Sequence, residues 1–423
     1  MDIQSDIIGI ATDENTYLMS NGVKKESHMS WIMAAGLIVN AAMGAGLLNI
    51  AKAYDDAGGI AVSSILHAIV VLLVIGAYAI LFVCCDKSIA SYEAFVLVKC
   101  GKFWQRVCSV CIILYGLSIT FFIIIGDQLD RFLTFVVGEH YCSHWYLDRR
   151  FMIIVTSMVL VFPLCFSKTI KFLQIPSMLG VLAIIYVVIM VPVEYFVHPP
   201  KDVIIKKGPD SWTDIFLVLP TMCFSYQAHV NAVPVFVSLK TRAECVKATL
   251  ASTIVLICSY CLVAICGYLT FGITIDHDIL MSYDPKLLPV LIAVIMVAIK
   301  TYTAYPVNLF CGRIAIDSFT TSNKESSIKR RVIIVCLWFF STLVGAVFLP
   351  NISLAIHYLG ALAASLCLYF HIEEQWIYSW HNVLSISIAI FYVAVGVFIT
   401  LLTFVQSLMT DIGSKASTNK NIC

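Results

Sequence analysis

Residues 40–49 read NAAMGAGLLN, inside the first strongly apolar segment of the chain. Gly44 and Gly46 flank a single small residue, Ala45, and Asn40 lies about one helical turn before them. A helix that crosses hydrocarbon must satisfy its backbone internally. Two glycines and an amide in mid-segment mark a place where such a helix comes apart. A second segment answers the first. Residues 217–238 read LVLPTMCFSYQAHVNAVPVFVS, with Pro220 and Pro234 bracketing Phe224, Ser225, Tyr226, Gln227, His229 and Asn231. Proline removes a backbone donor and opposes continuous helix. Polar side chains at membrane depth are costly unless they face protein or water.

The rest of the chain supplies the membrane. Of 423 residues, 60% are hydrophobic and 13% charged, and the mean hydropathy is +0.91. A soluble domain carries about twice that share of charge. The net charge of +1 gives no footprint for a nucleic-acid partner. Residues 1–29 are polar and lack a short apolar core followed by a small-residue cleavage site, so the first span is expected to serve as both signal and anchor. The 16 cysteines lie mostly in apolar runs and read as small buried hydrophobes.

A span needs about 20 mostly apolar residues. Eleven are predicted: 31–54, 60–85, 107–130, 151–167, 172–197, 213–238, 248–272, 288–313, 332–350, 352–370 and 382–407. Only Pro350 and Asn351 separate the ninth and tenth, so ten is the alternative count. With the N-terminus in the cytosol, sixteen Lys and Arg residues fall on the cytosolic side and ten on the other, with Lys300 left inside a span. The broken spans are then the first and sixth, at corresponding positions of two five-span halves. That arrangement points to an inverted-repeat transporter whose site lies where the two breaks meet. Unwound backbone offers N–H groups to a carboxylate and C=O groups to an ammonium or a cation. Taken alone, the Gly-Ala-Gly run also suits a small-residue packing motif between helices.

The chain resembles the amino acid/auxin permease family, in particular the sodium-coupled neutral amino acid transporters and their lysosomal glutamine/asparagine branch. The resemblance rests on NAAMGAGLLN, FFIIIGDQLD (121–130), FSYQAHVNAVPVF (224–236), GYLTFG (267–272), DILMSY (278–283) and YPVNLFCGR (305–313), in that order. It covers about residues 30–350 and thins beyond. It implies an all-α polytopic membrane protein with a LeuT-like 5+5 inverted repeat and an eleventh transmembrane helix. It further implies sodium- or proton-coupled transport of small neutral amino acids such as glutamine, asparagine and alanine. The expected division is a cytosolic tail (1–30), a first five-helix repeat (31–197), an outer loop (198–212), a second repeat (213–370) and an eleventh helix with its tail (371–423). A plasma or lysosomal membrane and a functional monomer fit this reading. Two departures stand out. Family members often carry proline soon after the first-helix motif, where this chain has Ala51 and Lys52, followed by Asp55 and Asp56. The other is Lys300.

Gly44, Ala45 and Gly46 are the expected substrate contacts of the first break, through their backbone groups. Phe224, Ser225, Tyr226 and Gln227 are expected to form the facing wall, the aromatics over the substrate side chain and Ser225 or Gln227 at its polar end. Plain core packing is the alternative for Phe224 and Tyr226. His229 reads as a core histidine or a proton-coupling group. Asn40 matches a family asparagine linked with sodium coupling. Independently, a hard cation wants oxygen ligands, which Asn40, the Met43 carbonyl, Thr303 and Thr301 would supply. A Thr303 hydroxyl bonded back to its own helix is the plain alternative.

Lys300 stands in VLIAVIMVAIKTYTAYPVNLF with about ten mostly apolar residues on each side. It shares a helix face with Thr303. Besides snorkelling, two roles are open to it. Its ammonium fills the cation's place and makes transport sodium-independent, or it loses and regains a proton during the cycle because burial disfavours charge.

Asp127 and Asp130 are expected to be solvated at the outer end of the third span, with a direct part in coupling as the alternative. Cys108–Cys111 and Cys258–Cys261 have CxxC spacing without nearby histidines and read as packing residues. The 371-HIEEQW-376 cluster lacks zinc-protease spacing and reads as interfacial. The Asn351 sequon lies almost in the membrane, and Tyr92–Phe95 has the form of a sorting signal. No HExxH, membrane serine–histidine pattern or paired intramembrane aspartates suggest an enzyme. No cofactor is expected beyond sodium or a proton. An amino-acid-sensing transceptor with little net transport is the remaining alternative.

Overall fold

The computed structural model describes residues 30–84, 110–138, 144–166, 170–200, 202–216, 218–227, 239–284, 286–318 and 328–348, with isolated residues at 232, 236 and between 359 and 405. Several expectations lie outside the described residues: the tenth span and much of the eleventh, Cys108, Tyr92–Phe95, the Asn351 sequon, the 371–376 cluster, and His229, Asn231 and Pro234.

The first apolar segment forms two helices, α1 (Trp31–Ala42) and α2 (Ala45–Asp56), bent by 58°. The Met43 N–H closes α1 on the Val39 carbonyl at 2.8 Å, and the Leu47 N–H opens α2 on the Gly44 carbonyl at 3.1 Å. The break thus falls at Met43–Gly44, as the glycines predict. Next come α3 (Ile60–Cys84) and α4 (Val110–Val137). The fourth span is a composite: α5 (Arg149–Thr156) runs through a π turn (Ser157–Val161) into the short α6 (Phe162–Cys165). Then follow α7 (Ile170–Val197), α8 (Val218–Ser225) and α9 (Arg242–Phe271). The described series ends with α10 (Ile279–Ser282), α11 (Leu288–Ser318) and α12 (Ile328–Phe348).

Among the described residues five helices are long and apolar enough to cross a membrane, six when the bent α1–α2 pair is counted as one. Their outward faces confirm the setting. Leu72, Leu182, Ile254 and Leu337 each expose at least 60% of their surface, whereas Asp127, Gln128, Asp130, Arg149, Lys300 and Asn308 are buried. Such a surface is stable against lipid and not against water. The protein is a multi-pass membrane protein.

Packing places α11 at the centre, along α4 and α7, while α9 lies along α1, α2 and α7. The α8 helix packs on α2, and α12 packs on α4. The ends are set locally. Thr241 caps α9 by accepting from the Glu244 N–H at 3.2 Å, and Glu244 accepts from the Lys240 N–H at 3.1 Å. At its other end Gly272 turns the chain with φ +56°, where a side chain would run into the Ile204 carbonyl.

One expectation is corrected here. Asp127 and Asp130 are not solvated at a helix end: α4 continues to Val137, and both carboxylates are buried against Arg149 of α5, at 2.6 Å and 3.6 Å. Arg149 was not singled out in the sequence because its partners come from the preceding span.

Candidate functional site at the junction of the interrupted helices

The two breaks meet. At Gly46 an added Cβ would stand 2.9 Å from the Ser225 Cα, so only glycine lets the start of α2 reach the end of α8. Asn49 of α2 donates to the Thr221 hydroxyl of α8 at 3.3 Å, a second tie between them. The first N–H groups of α2 have no partner within their own helix, and the last carbonyls of α1 and α8 likewise face the junction. Partial positive and negative charge therefore sit within one small volume.

A residue that sequence reading passed over closes this junction. The Tyr260 hydroxyl, from the middle of α9, lies 2.7 Å from the Ser225 carbonyl and 3.1 Å from the Ala42 carbonyl. One phenol proton thus serves the last turns of both interrupted helices. Beside it runs a buried polar chain: the Tyr54 hydroxyl lies 2.9 Å from His67 Nδ1, and His67 Nε2 lies 2.6 Å from the Tyr226 hydroxyl. The Tyr226 ring meets Tyr260 edge-on, with centroids 5.1 Å apart. A single histidine or tyrosine in an apolar helix carries no periodic signal. Only the cost of burying an unpaired polar group could have flagged them.

The predicted wall residues have distinct surroundings. Ala45, Phe224, Ser225 and Tyr226 are buried, and Gln227 is half-buried at the rim. The Ser225 hydroxyl donates back to the Thr221 carbonyl of its own helix at 2.7 Å. Of the residues expected to hold a cation, Asn40 and Lys300 lie against Gly180 of α7, and Lys300 also reaches Gly44. A Cβ at Gly180 would lie 3.2 Å from Lys300 Cγ and 3.7 Å from Asn40 Oδ1, and a Cβ at Gly44 would lie 3.7 Å from Lys300 Nζ. The lysine therefore turns inward to the break and does not snorkel. Met43 is buried at the same corner. The Thr301 hydroxyl donates to the Val297 carbonyl at 2.7 Å, and that of Thr303 to the carbonyls of Ile299 and Lys300 at 3.0 Å and 2.9 Å. Both threonines spend their protons within α11. Among the described residues no cluster of His, Cys, Asp and Glu could hold a metal ion.

At the end of α2 away from the break, Lys52 pairs with Asp55 at 2.8 Å and Asp56 at 3.1 Å, and Lys206 approaches Asp55 at 3.8 Å. The connecting segment 203–209 crosses this end. The Ile273 N–H donates to the Ile204 carbonyl at 3.1 Å, and the Lys206 N–H to the Tyr268 hydroxyl at 3.0 Å. Close by, Asp278 accepts from the Leu280 N–H at 2.9 Å and the Gln128 amide at 2.8 Å. Burial pushes its carboxyl up to about 6, against the pull of those two donors and of Arg131.

Two interrupted helices joined across a glycine contact, inside a bundle that turns its apolar side chains outward, define an all-α membrane protein of the LeuT-like class. The fold is similar to the crystal structure of MhsT in complex with L-phenylalanine, with a TM-score of 0.52 at 14% identity over 89% of this chain and 99% of that one. Residues 27–409 match the transmembrane amino acid transporter protein family, and the chain belongs to that family. It is 38% identical over 351 residues to sodium-coupled neutral amino acid transporter 7 of Danio rerio, covering 78% of this chain and 75% of the relative. To the Homo sapiens protein of that name it is 32% identical over 415 residues, covering 90% and 88%. The chain is a transporter, not an enzyme.

Proposed function

We propose that this protein is a secondary active transporter of small neutral amino acids of the glutamine, asparagine and alanine type, working by alternating access. The observation that carries the proposal is the meeting of the two breaks, with Gly46 against Ser225 and one hydroxyl shared by Ala42 and Ser225. The substrate carboxylate is received by the N–H groups at Gly44, Ala45 and Gly46, and the ammonium by the carbonyl ends of α1 and α8. Phe224, Ser225, Tyr226 and Gln227 bound the side chain. Residues 31–197 and 213–370 serve as the two repeats, acting in a monomer whose N-terminus is cytosolic, in a plasma or lysosomal membrane.

Coupling is assigned to the corner of Asn40, Met43, Thr301, Thr303 and Lys300. The relatives are named sodium-coupled. In this chain the Lys300 side chain stands beside Gly44, at the corner where Asn40 would help hold sodium. Two roles are open to it: its ammonium fills the cation's place and makes transport sodium-independent, or it loses and regains a proton during the cycle and couples transport to protons.

The test is uptake of a panel of amino acids into proteoliposomes under separately imposed sodium and proton gradients. Saturable uptake that does not need a sodium gradient, and a changed cation or pH dependence in Lys300→Ala, are expected. Strict sodium dependence left intact by Lys300→Ala would return Asn40 and Thr303 to an ordinary sodium site. Binding without uptake would reassign the protein to amino-acid sensing.

A further inference from the structure

The chain formed by Tyr54, His67 and Tyr226 is not needed to hold the substrate's charges, yet all three side chains are almost wholly buried. A neutral imidazole has one donor and one acceptor nitrogen, and here each meets one phenol, at 2.9 Å and 2.6 Å. One phenol donates to the acceptor nitrogen, and the other accepts from the ring N–H. The geometry is also directional. Tyr54 belongs to α2, His67 to α3, and Tyr226 follows the last turn of α8. The hydrogen bond to His67 therefore fixes the Tyr226 hydroxyl on α3 while its ring stays edge-on to Tyr260, whose own hydroxyl closes the junction.

We propose that His67 is a positioning residue for substrate selection: it fixes Tyr226 in its place in the wall of the junction, and thereby sets how long a side chain the junction admits. The inference rests on the transport site described above and deepens it. Without the imidazole, the Tyr226 hydroxyl has lost its partner in a dry region. The ring, edge-packed on Tyr260 and His67, is then free to turn toward the polar groups of the break and occupy substrate space.

The experiment compares wild type, His67→Phe, His67→Gln and Tyr226→Phe in proteoliposomes, reading KM for alanine and for glutamine per inserted molecule. His67→Phe keeps a ring but removes both bonding nitrogens. It is expected to raise KM for glutamine about tenfold and for alanine less, shifting the preference toward the smaller substrate, with maximal velocity changed far less. His67→Gln retains a donor and an acceptor and is expected to restore the preference to within about threefold of wild type. Should His67→Phe fail to reach the membrane, Tyr226→Phe, which deletes one hydroxyl, is expected to shift the preference in the same direction. An unchanged alanine-to-glutamine ratio in His67→Phe or Tyr226→Phe overturns the role of His67. Wild-type uptake in the same vesicles reports separately on transport: its absence would sink the transport reading, whereas normal wild-type uptake with unshifted variants sinks only the positioning role.

Discussion

Single atoms decide most of what happens at the junction. The Tyr260 hydroxyl serves the Ala42 and Ser225 carbonyls together, so Tyr260→Phe strips both of their donor at a cost of about 1–3 kcal/mol. The expected outcome is a lower melting temperature and weaker apparent substrate affinity, measured by thermal unfolding and by uptake. The two glycines of the first break are not equivalent. A methyl group at Gly46 meets the Ser225 backbone, which cannot move aside, whereas at Gly44 it meets only the tip of the flexible Lys300 side chain. Gly46→Ala is therefore expected to impair uptake about tenfold more than Gly44→Ala. A larger effect at Gly44 would show that the contact across the breaks does not govern the site. The glycines and Lys300 were legible in the sequence because each violates what a membrane helix ordinarily contains. Tyr260 and His67 were not, since their partners lie as far as 218 residues away. The threonine and serine hydroxyls were legible as polar groups, but which way each one points is decided by the backbone of its own turn.

At the scale of elements, apolar run length located the described spans to within a few residues, because hydrocarbon thickness fixes how much helix is needed. The span expected at 248–272 begins earlier, at Arg242, because Thr241 and Glu244 cap it there. The span expected at 107–130 ends later, at Val137. Its polar residues are held by protein and not by water, which no count of apolar residues reveals. The π turn at Ser157–Val161 was likewise invisible, being a change of hydrogen-bond partner within an uninterrupted apolar run. The short helix α10 offers a pH-dependent test. The Asp278 carboxyl has a folded pKa of about 6 against an ordinary 3.8. A carboxyl raised on folding contributes stability below its unfolded pKa and loses it as pH rises through the folded one. The melting temperature of purified protein is expected to fall as pH is raised from about 4 to about 7, and to fall less in Asp278→Asn. Equal slopes for the two proteins would show that Asp278 does not set this response.

For the whole molecule, apolar side chains make up both the outer face and the core, and a few ions are buried within that core. The Asp127–Arg149–Asp130 cluster joins α4 to α5 in that interior. Arg149→Met leaves the buried Asp127 carboxylate without its cation and is expected to destabilise the protein by about 3–5 kcal/mol, with Asp127→Asn in the same chain recovering part of the loss. Unfolding of the three proteins in detergent checks this, and no recovery in the double variant would mean the cluster is not a unit. The pairing of broken spans was readable at this scale because interruptions are costly in hydrocarbon, and two at matching places point to a shared site between them.

The connecting segment 203–209 has a mechanical consequence. It is pinned near Gly58 and Gly59, between α2 and α3, and at Tyr268 and Ile273, at the end of α9. A cord fixed at both ends limits how far its anchors part, whatever is bound between them. About seven extended residues reach no more than about 25 Å, and the bonds to Tyr268 and Ile273 take up much of that slack. Lengthening the cord would then alter how often the molecule cycles while leaving its preference among substrates untouched.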